Sequence, residues 1–172
     1  GRPIRLPNTF PTVEGTKVYP SVPGGTNWFS PTYSPQTDLF YVATREQGGI
    51  FYMGEADYKP GRRFDAGGFR SIPGEERYGA VRALKPATGE MVWEFRLFTP
   101  PWAGLLSTAG GLVFGGAAEG DVFALDAATG QSLWRFQTGG EAHANPISYL
   151  SEGKQHVAVA MGNSIFDFAL EE

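Results

Sequence analysis

Gly79-Ala-Val-Arg-Ala-Leu-Lys-Pro-Ala-Thr-Gly-Glu-Met-Val-Trp93 returns 41 residues later as Gly120-Asp-Val-Phe-Ala-Leu-Asp-Ala-Ala-Thr-Gly-Gln-Ser-Leu-Trp134. The Gly, Val, Ala-Leu, Ala-Thr-Gly and Trp positions are kept in both copies. Each copy reads as strand, turn, strand: apolar Val122, Ala124 and Leu125, then Asp126-Ala-Ala-Thr-Gly130, then Ser132-Leu-Trp-Arg-Phe136. The turn has a physical basis, because Asp126 and Thr129 can bond nearby backbone N–H groups and Gly130 can take a positive φ without steric cost. The tryptophan that follows lies on a strand beside that turn, where its ring can pack on the turn's peptides. In the first copy Lys85 stands where the second has Asp126, which removes the acceptor side chain from that turn.

A repeat of this length made of short strands is the pattern of a propeller blade, roughly 40–45 residues in four strands. Closed rings need about 4–8 such blades, so 172 residues make only part of one. The predicted fold is therefore an all-β partial β-propeller: about two complete four-stranded antiparallel blades plus an incomplete one. The 24 Gly and 13 Pro, and the lack of any sustained 3.6-residue apolar stripe, agree with strands rather than helices.

Working outward from the repeat, residues 1–25 read as an extended lead-in segment rich in Pro, Gly and Thr, with no strand longer than Thr16-Lys-Val-Tyr19. Residues 26–97 read as one blade, with first strands at Asn27-Trp-Phe-Ser30 with Thr32-Tyr33, and at Leu39-Phe-Tyr-Val-Ala-Thr44. Residues 45–77 interrupt it as a long insertion loop, of the size that is more often functional or capping than accidental. Residues 104–138 read as a second blade and 144–170 as an incomplete closing blade of three strands.

Several function classes are excluded. The net charge is −4 with scattered basic residues, so the electrostatic footprint of a nucleic-acid binder is missing. No run of 18 or more apolar residues exists to span a membrane as a helix, and Gly1-Arg-Pro-Ile-Arg5 is not followed by a signal-peptide core. The absence of Cys rules out disulfides and thiolate metal sites within these residues. His143 and His156 lack metal-ligand spacing, and neither G-x-S-x-G nor H-E-x-x-H nor a phosphate-binding glycine loop occurs.

The repeated Ala-Leu-x-x-Ala-Thr-Gly-x-x-x-Trp resembles the tryptophan-docking motif of the eight-bladed quinoprotein propellers. Gly24-Gly-Thr-Asn-Trp28, Ser30-Pro-Thr-Tyr-Ser-Pro35, Trp102-Ala-Gly104, Thr108-Ala-Gly-Gly-Leu-Val-Phe114 and Phe136-Gln-Thr-Gly139 narrow the resemblance. They are similar to the C-terminal portion of the pyrroloquinoline quinone (PQQ)-dependent alcohol and methanol dehydrogenases. That resemblance implies oxidation of an alcohol by hydride transfer to PQQ, with calcium bound by residues outside this chain and a catalytic Asp also upstream. It further implies a small alcohol substrate, an electron acceptor, a periplasmic location, and preceding blades or self-association to cover the open ring.

Four residues carry over to the cofactor site. Asn27 and Trp28 match an Asn-Trp pair at the cofactor edge, where an amide can donate to an oxygen and an indole can exclude water. Trp102 matches the aromatic of the Trp-Ala-Gly loop beside the pocket. His143, in Gly140-Glu-Ala-His-Ala-Asn145, falls where the family chain passes the cofactor. Trp93 and Trp134, by contrast, are expected to pack structurally. A second reading stays open: a non-catalytic propeller scaffold or interaction module that keeps the repeat for stability alone.

Overall fold

The computed structural model describes residue 2 and residues 4–170, and among these it contains strands and no helix. The two copies of the repeat form the third and fourth strands of two successive four-stranded antiparallel sheets. The first sheet runs β2 (Thr32–Ser34), β3 (Leu39–Glu46), β6 (Tyr78–Leu84), β7 (Met91–Leu97). The second runs β8 (Leu105–Ser107), β9 (Leu112–Gly116), β10 (Asp121–Asp126), β11 (Ser132–Gln137). A third sheet has three strands, β12 (Ile147–Ser151), β13 (Lys154–Met161) and β14 (Ser164–Ala169).

The repeat is exact in backbone as well as in sequence offset. The ladder slips by one residue between Ala83 and Leu84 in the first sheet and between Ala124 and Leu125 in the second. In each turn the amide of the residue after Leu closes the turn in the same way. Lys85 N donates to Glu90 O at 2.9 Å and Asp126 N to Gln131 O at 2.8 Å, while Gly89 and Gly130 both take φ +74°. Only the side-chain bonding differs. Asp126 Oδ1 accepts from the Ala128 amide, the Thr129 amide and the Thr129 hydroxyl at 3.0, 2.8 and 2.9 Å, whereas Lys85 turns outward to Glu90 at 2.9 Å. The lysine thus keeps the turn and loses its internal acceptor.

The sheets stack face to face. Tyr41, Val81, Ala83 and Trp93 of the first sheet pack on Val113, Phe123 and Leu125 of the second. On its other face the second sheet packs Val122 against Val159 and Met161 of the third, with Phe166 and Phe168 at the margin. Covered on both sides, β10 is buried at five successive positions, so it reads as a continuous apolar run rather than an alternating one.

Trp93 is only 9% exposed. Its Nε1–H donates to the Ala127 carbonyl of the next sheet's turn at 3.1 Å, and the buried Tyr41 hydroxyl donates to the same oxygen at 2.9 Å. Trp134 departs from the expected packing, being 37% exposed. It meets Phe168 edge-on at 4.9 Å and stacks beside Phe136 at 6.2 Å, and among the described residues it has no turn beneath it. The turn used by Trp93 follows the third strand of the next sheet, and in the third sheet that strand, β14, ends at Ala169, next to the last described residue.

Two further expectations need correction. The predicted loop over 45–77 is not strandless: β4 (Gly49–Met53) and β5 (Gly67–Arg70) form a small sheet with β1 (Thr16–Val18), the short strand read in the lead-in segment, in the order β1-β4-β5. Glycine hides these strands from a sequence reading. Gly67 stands at φ +142° with Tyr52 O only 2.2 Å from where a Cβ would lie, so the close approach that needs glycine also removes the strand signal. The first strand also starts later than predicted, at Thr32, because Asn27 uses its side chain to hold a turn rather than extend one.

Candidate functional site

The segments that lead into the first strands of the three main sheets meet at one end of the stack. They are residues 27–31 before β2, residues 102–104 before β8 and residues 142–146 before β12. Leu105 N donates to Ser30 O at 2.9 Å, which ties the first two together. Asn145 ties in the third: its Nδ2 donates to Ser30 Oγ at 3.0 Å, and its Oδ1 accepts from Ser30 N at 3.4 Å. The junction is tight enough to demand glycine at its centre. A Cβ on Gly104 would lie 2.0 Å from Asn145 Oδ1 and 2.7 Å from Ser30 N.

Asn27 and Trp28 are delivered to this junction by a hydrogen-bonded strap. Ser21 N donates to Gln47 O and Arg45 N to Gly25 O, both at 2.8 Å, which fixes residues 21–25 along the end of β3. Asn27 then clamps its own turn: Nδ2 donates to Pro23 O at 2.6 Å, and Oδ1 accepts from Trp28 N at 2.8 Å. The amide is held rigidly and still has one N–H to donate outward. Trp28 is left 60% exposed, an indole held up by a fixed backbone rather than buried.

Trp28 and Trp102 are joined through Phe29. The buried Phe29 ring meets Trp28 edge-on at 6.0 Å and Trp102 at 90° and 6.4 Å. Beneath Trp102 lies Arg45, its guanidinium 4.0 Å from the indole centroid. Arg45 is 5% exposed, and its Nη1 donates to the Pro101 and Pro100 carbonyls at 2.5 and 3.3 Å. Burial, and then the nearby charge of Arg77, push the Arg45 guanidinium below its usual value.

The structure therefore brings Asn27, Trp28 and Trp102 into one aromatic-lined region. His143 stands apart from them: its exposed ring points to Glu141, with Nε2 3.4 Å from a carboxylate oxygen. Within its segment it is Asn145, two residues on, that reaches across to the junction. Sequence reasoning missed Asn145, Ser30 and Arg45. For Asn145 a signal was present, since an Asn before Pro146 is a ready turn former with a free amide. For Arg45 there was none, because a strand-end arginine reads as solvated until a distant loop covers it.

Among the described residues no group of three or more His, Cys, Asp or Glu side chains is placed to hold a metal ion. The polar and aromatic groups of the junction are amide, indole and backbone.

Comparison with known proteins bears on the family and the fold. Residues 75–157 match the family described as glucose/ethanol/alcohol dehydrogenase, β-propeller domain. The quinoprotein alcohol dehydrogenase PedE of Pseudomonas putida is 37% identical over 171 residues, covering 94% of this chain and 27% of that protein. The lanthanide-dependent methanol dehydrogenase of Methylacidiphilum fumariolicum is 34% identical, covering 94% of this chain and 28% of that protein. The chain thus spans about a quarter of the length of the relatives it matches. Among solved structures, a europium-containing methanol dehydrogenase superposes with a TM-score of 0.82 at 34% identity, over 92% of this chain and 29% of that one. The quinohemoprotein alcohol dehydrogenase of Comamonas testosteroni superposes with a TM-score of 0.76 at 30% identity, over 86% of this chain and 24% of that one. Matching sequence and superposing fold lead to one conclusion: this chain belongs to the β-propeller family of the PQQ-dependent alcohol and methanol dehydrogenases.

Proposed function

We propose that this chain supplies one wall of the PQQ pocket of an alcohol-oxidising dehydrogenase acting in the periplasm. The observation that carries the proposal is the convergence of three strand-leading segments on Asn27, Trp28 and Trp102 at one end of the stack. An indole held 60% exposed by a rigid turn, and linked through Phe29 to a second indole, leaves an aromatic surface available to a ligand. When bound, PQQ supplies the hydride acceptor for the alcohol carbon. The chain's own residues do the rest of what this wall can do. Asn27, locked by Pro23 and Trp28, offers its remaining amide N–H to a quinone or carboxylate oxygen. Trp28 and Trp102 exclude water from the ligand's edge, and Asn145 holds the three segments in register through Ser30. The backbone of residues 142–145 closes the side of the region, with the His143 side chain turned away to Glu141.

Titration of the chain with PQQ, followed by tryptophan fluorescence, tests the proposal. Saturable quenching is expected, weakened in Trp28→Phe and Trp102→Phe. The catalytic Asp and calcium ligands implied by the resemblance lie outside these residues, so the chain alone is expected not to reduce a dye with ethanol and PQQ. Absence of quenching in the wild type would instead favour the scaffold reading.

A further inference from the structure

Arg45 is a buried charge without an acid. Of the two charged side chains in the described core, Asp121 is met by Arg135 and by Gln137 Nε2 at 3.3 Å. Arg45 forms no ion pair among the described residues. Its guanidinium is satisfied only by the Pro100 and Pro101 carbonyls and by Gln47 Oε1 at 3.4 Å, and its Nε has no partner at all. Burying a cation in this way is costly unless something else uses it. A second cation adds to the cost: Arg77 lies close enough to depress the Arg45 pKa, and it too has no described carboxylate partner.

The Arg45 charge sits behind the indole of Trp102. Arg45 covers one side of that ring at 4.0 Å from its centroid, and Phe29 abuts its edge at 90°. A planar guanidinium stacked on an indole restricts the ring more than an ammonium could, because it presents a face and not a point. The field of a desolvated cation also reaches further than that of an exposed one.

We propose that Arg45 is a positioning and specificity residue of this wall: it locks the Trp102 indole and makes the wall electropositive, so that it selects an anionic aromatic ligand over a neutral one of the same shape. The preference for a ligand class rests on the pocket reading above, while the hold on Trp102 does not.

Two measurements separate these parts. In the first, the chain is labelled with 5-fluorotryptophan, and the Trp102 signal is assigned by its loss in Trp102→Phe. In Arg45→Met and in Arg45→Lys the Trp102 resonance is expected to shift and broaden while that of Trp93, deep in the same core, stays in place as the sign of an intact fold. If the methionine variant does not fold, the lysine variant, which keeps the charge and stem but not the plane, decides. An unchanged Trp102 signal in a folded variant overturns the proposal. In the second, PQQ and its trimethyl ester are compared by fluorescence quenching. The wild type is expected to bind the free acid about tenfold more tightly than the ester, the order of effect for a desolvated cation beside a ring. Arg45→Met is expected to abolish that preference and Arg45→Lys to retain most of it. Equal preference in wild type and Arg45→Met overturns the selectivity. Binding of neither compound by the wild type overturns both the pocket reading and the selectivity, and the fluorine signals alone then decide whether Arg45 holds the indole.

Discussion

Gly130 carries two constraints at once. Its φ of +74° excludes most side chains, and a Cβ there would lie 2.6 Å from Trp93 Cε3. Gly89, its counterpart in the first repeat, has the same φ of +74° and nothing within 4 Å. The pair separates backbone strain from ring contact. Gly89→Ala is expected to cost about 1 kcal/mol for the left-handed backbone, and Gly130→Ala about 1–3 kcal/mol more for the displaced indole. Urea denaturation of both variants gives the comparison, and equal losses would mean that Trp93 does not press on the turn. Asp126 makes a second test at this scale. Three donors from Thr129 and Ala128 hold its carboxyl below the ordinary 3.8. Because the folded pKa lies below the unfolded one, its contribution is complete above that value and is lost as pH falls through the folded pKa. The stability gap between wild type and Asp126→Ala should therefore close on acidification. Asp167, held low by His156 and Tyr149, titrates alike in both proteins and cancels. A gap independent of pH would remove the carboxylate from the turn's stabilisation. Asp126 was legible in the sequence because its partners are within three residues of it. Arg45 was not, since the loop that buries it is 55 residues away in the chain.

The strands show the same division between local and distant causes. β6, β7, β10 and β11 could be placed from the repeat, because each hairpin is specified by its own turn. β4 and β5 could not, because the partner of β4 comes from the lead-in segment and glycines mask both ends of the pairing. The two docking tryptophans, alike in sequence, differ for a reason that sits on another element: Trp93 has the β10–β11 turn beneath it and Trp134 has none among the described residues. Trp93→Ala is expected to destabilise by about 3–5 kcal/mol, the range for a large buried aromatic. Trp134→Ala should cost distinctly less, because its ring is partly in water already. Thermal melts of the two variants will show whether the difference exists, and equal shifts would contradict this account.

At the scale of the whole molecule, three main sheets stack in a row and only the middle one is covered on both faces. Stacking order and the partial ring were legible from one repeat and its length. The convergence of three strand-leading segments was not, because it depends on contacts such as Asn145 to Ser30 that join residues 115 apart. Apolar side chains remain exposed on the outer strands, among them Leu133 and Phe136 on β11 and Ile165 on the edge strand β14. Unpaired edges and apolar patches of this kind recruit another chain. The chain is therefore expected to self-associate, with sedimentation showing mass rising with concentration; a single-chain mass at every concentration would contradict this. Trp134 offers an optical gauge of the same event. Sitting partly in water where Trp93 sits dry, its emission should move to the blue, and its accessibility to acrylamide fall, whenever a fourth strand pairs with β14 and brings a turn over it. The chain thus carries its own reporter of whether its third sheet has been completed.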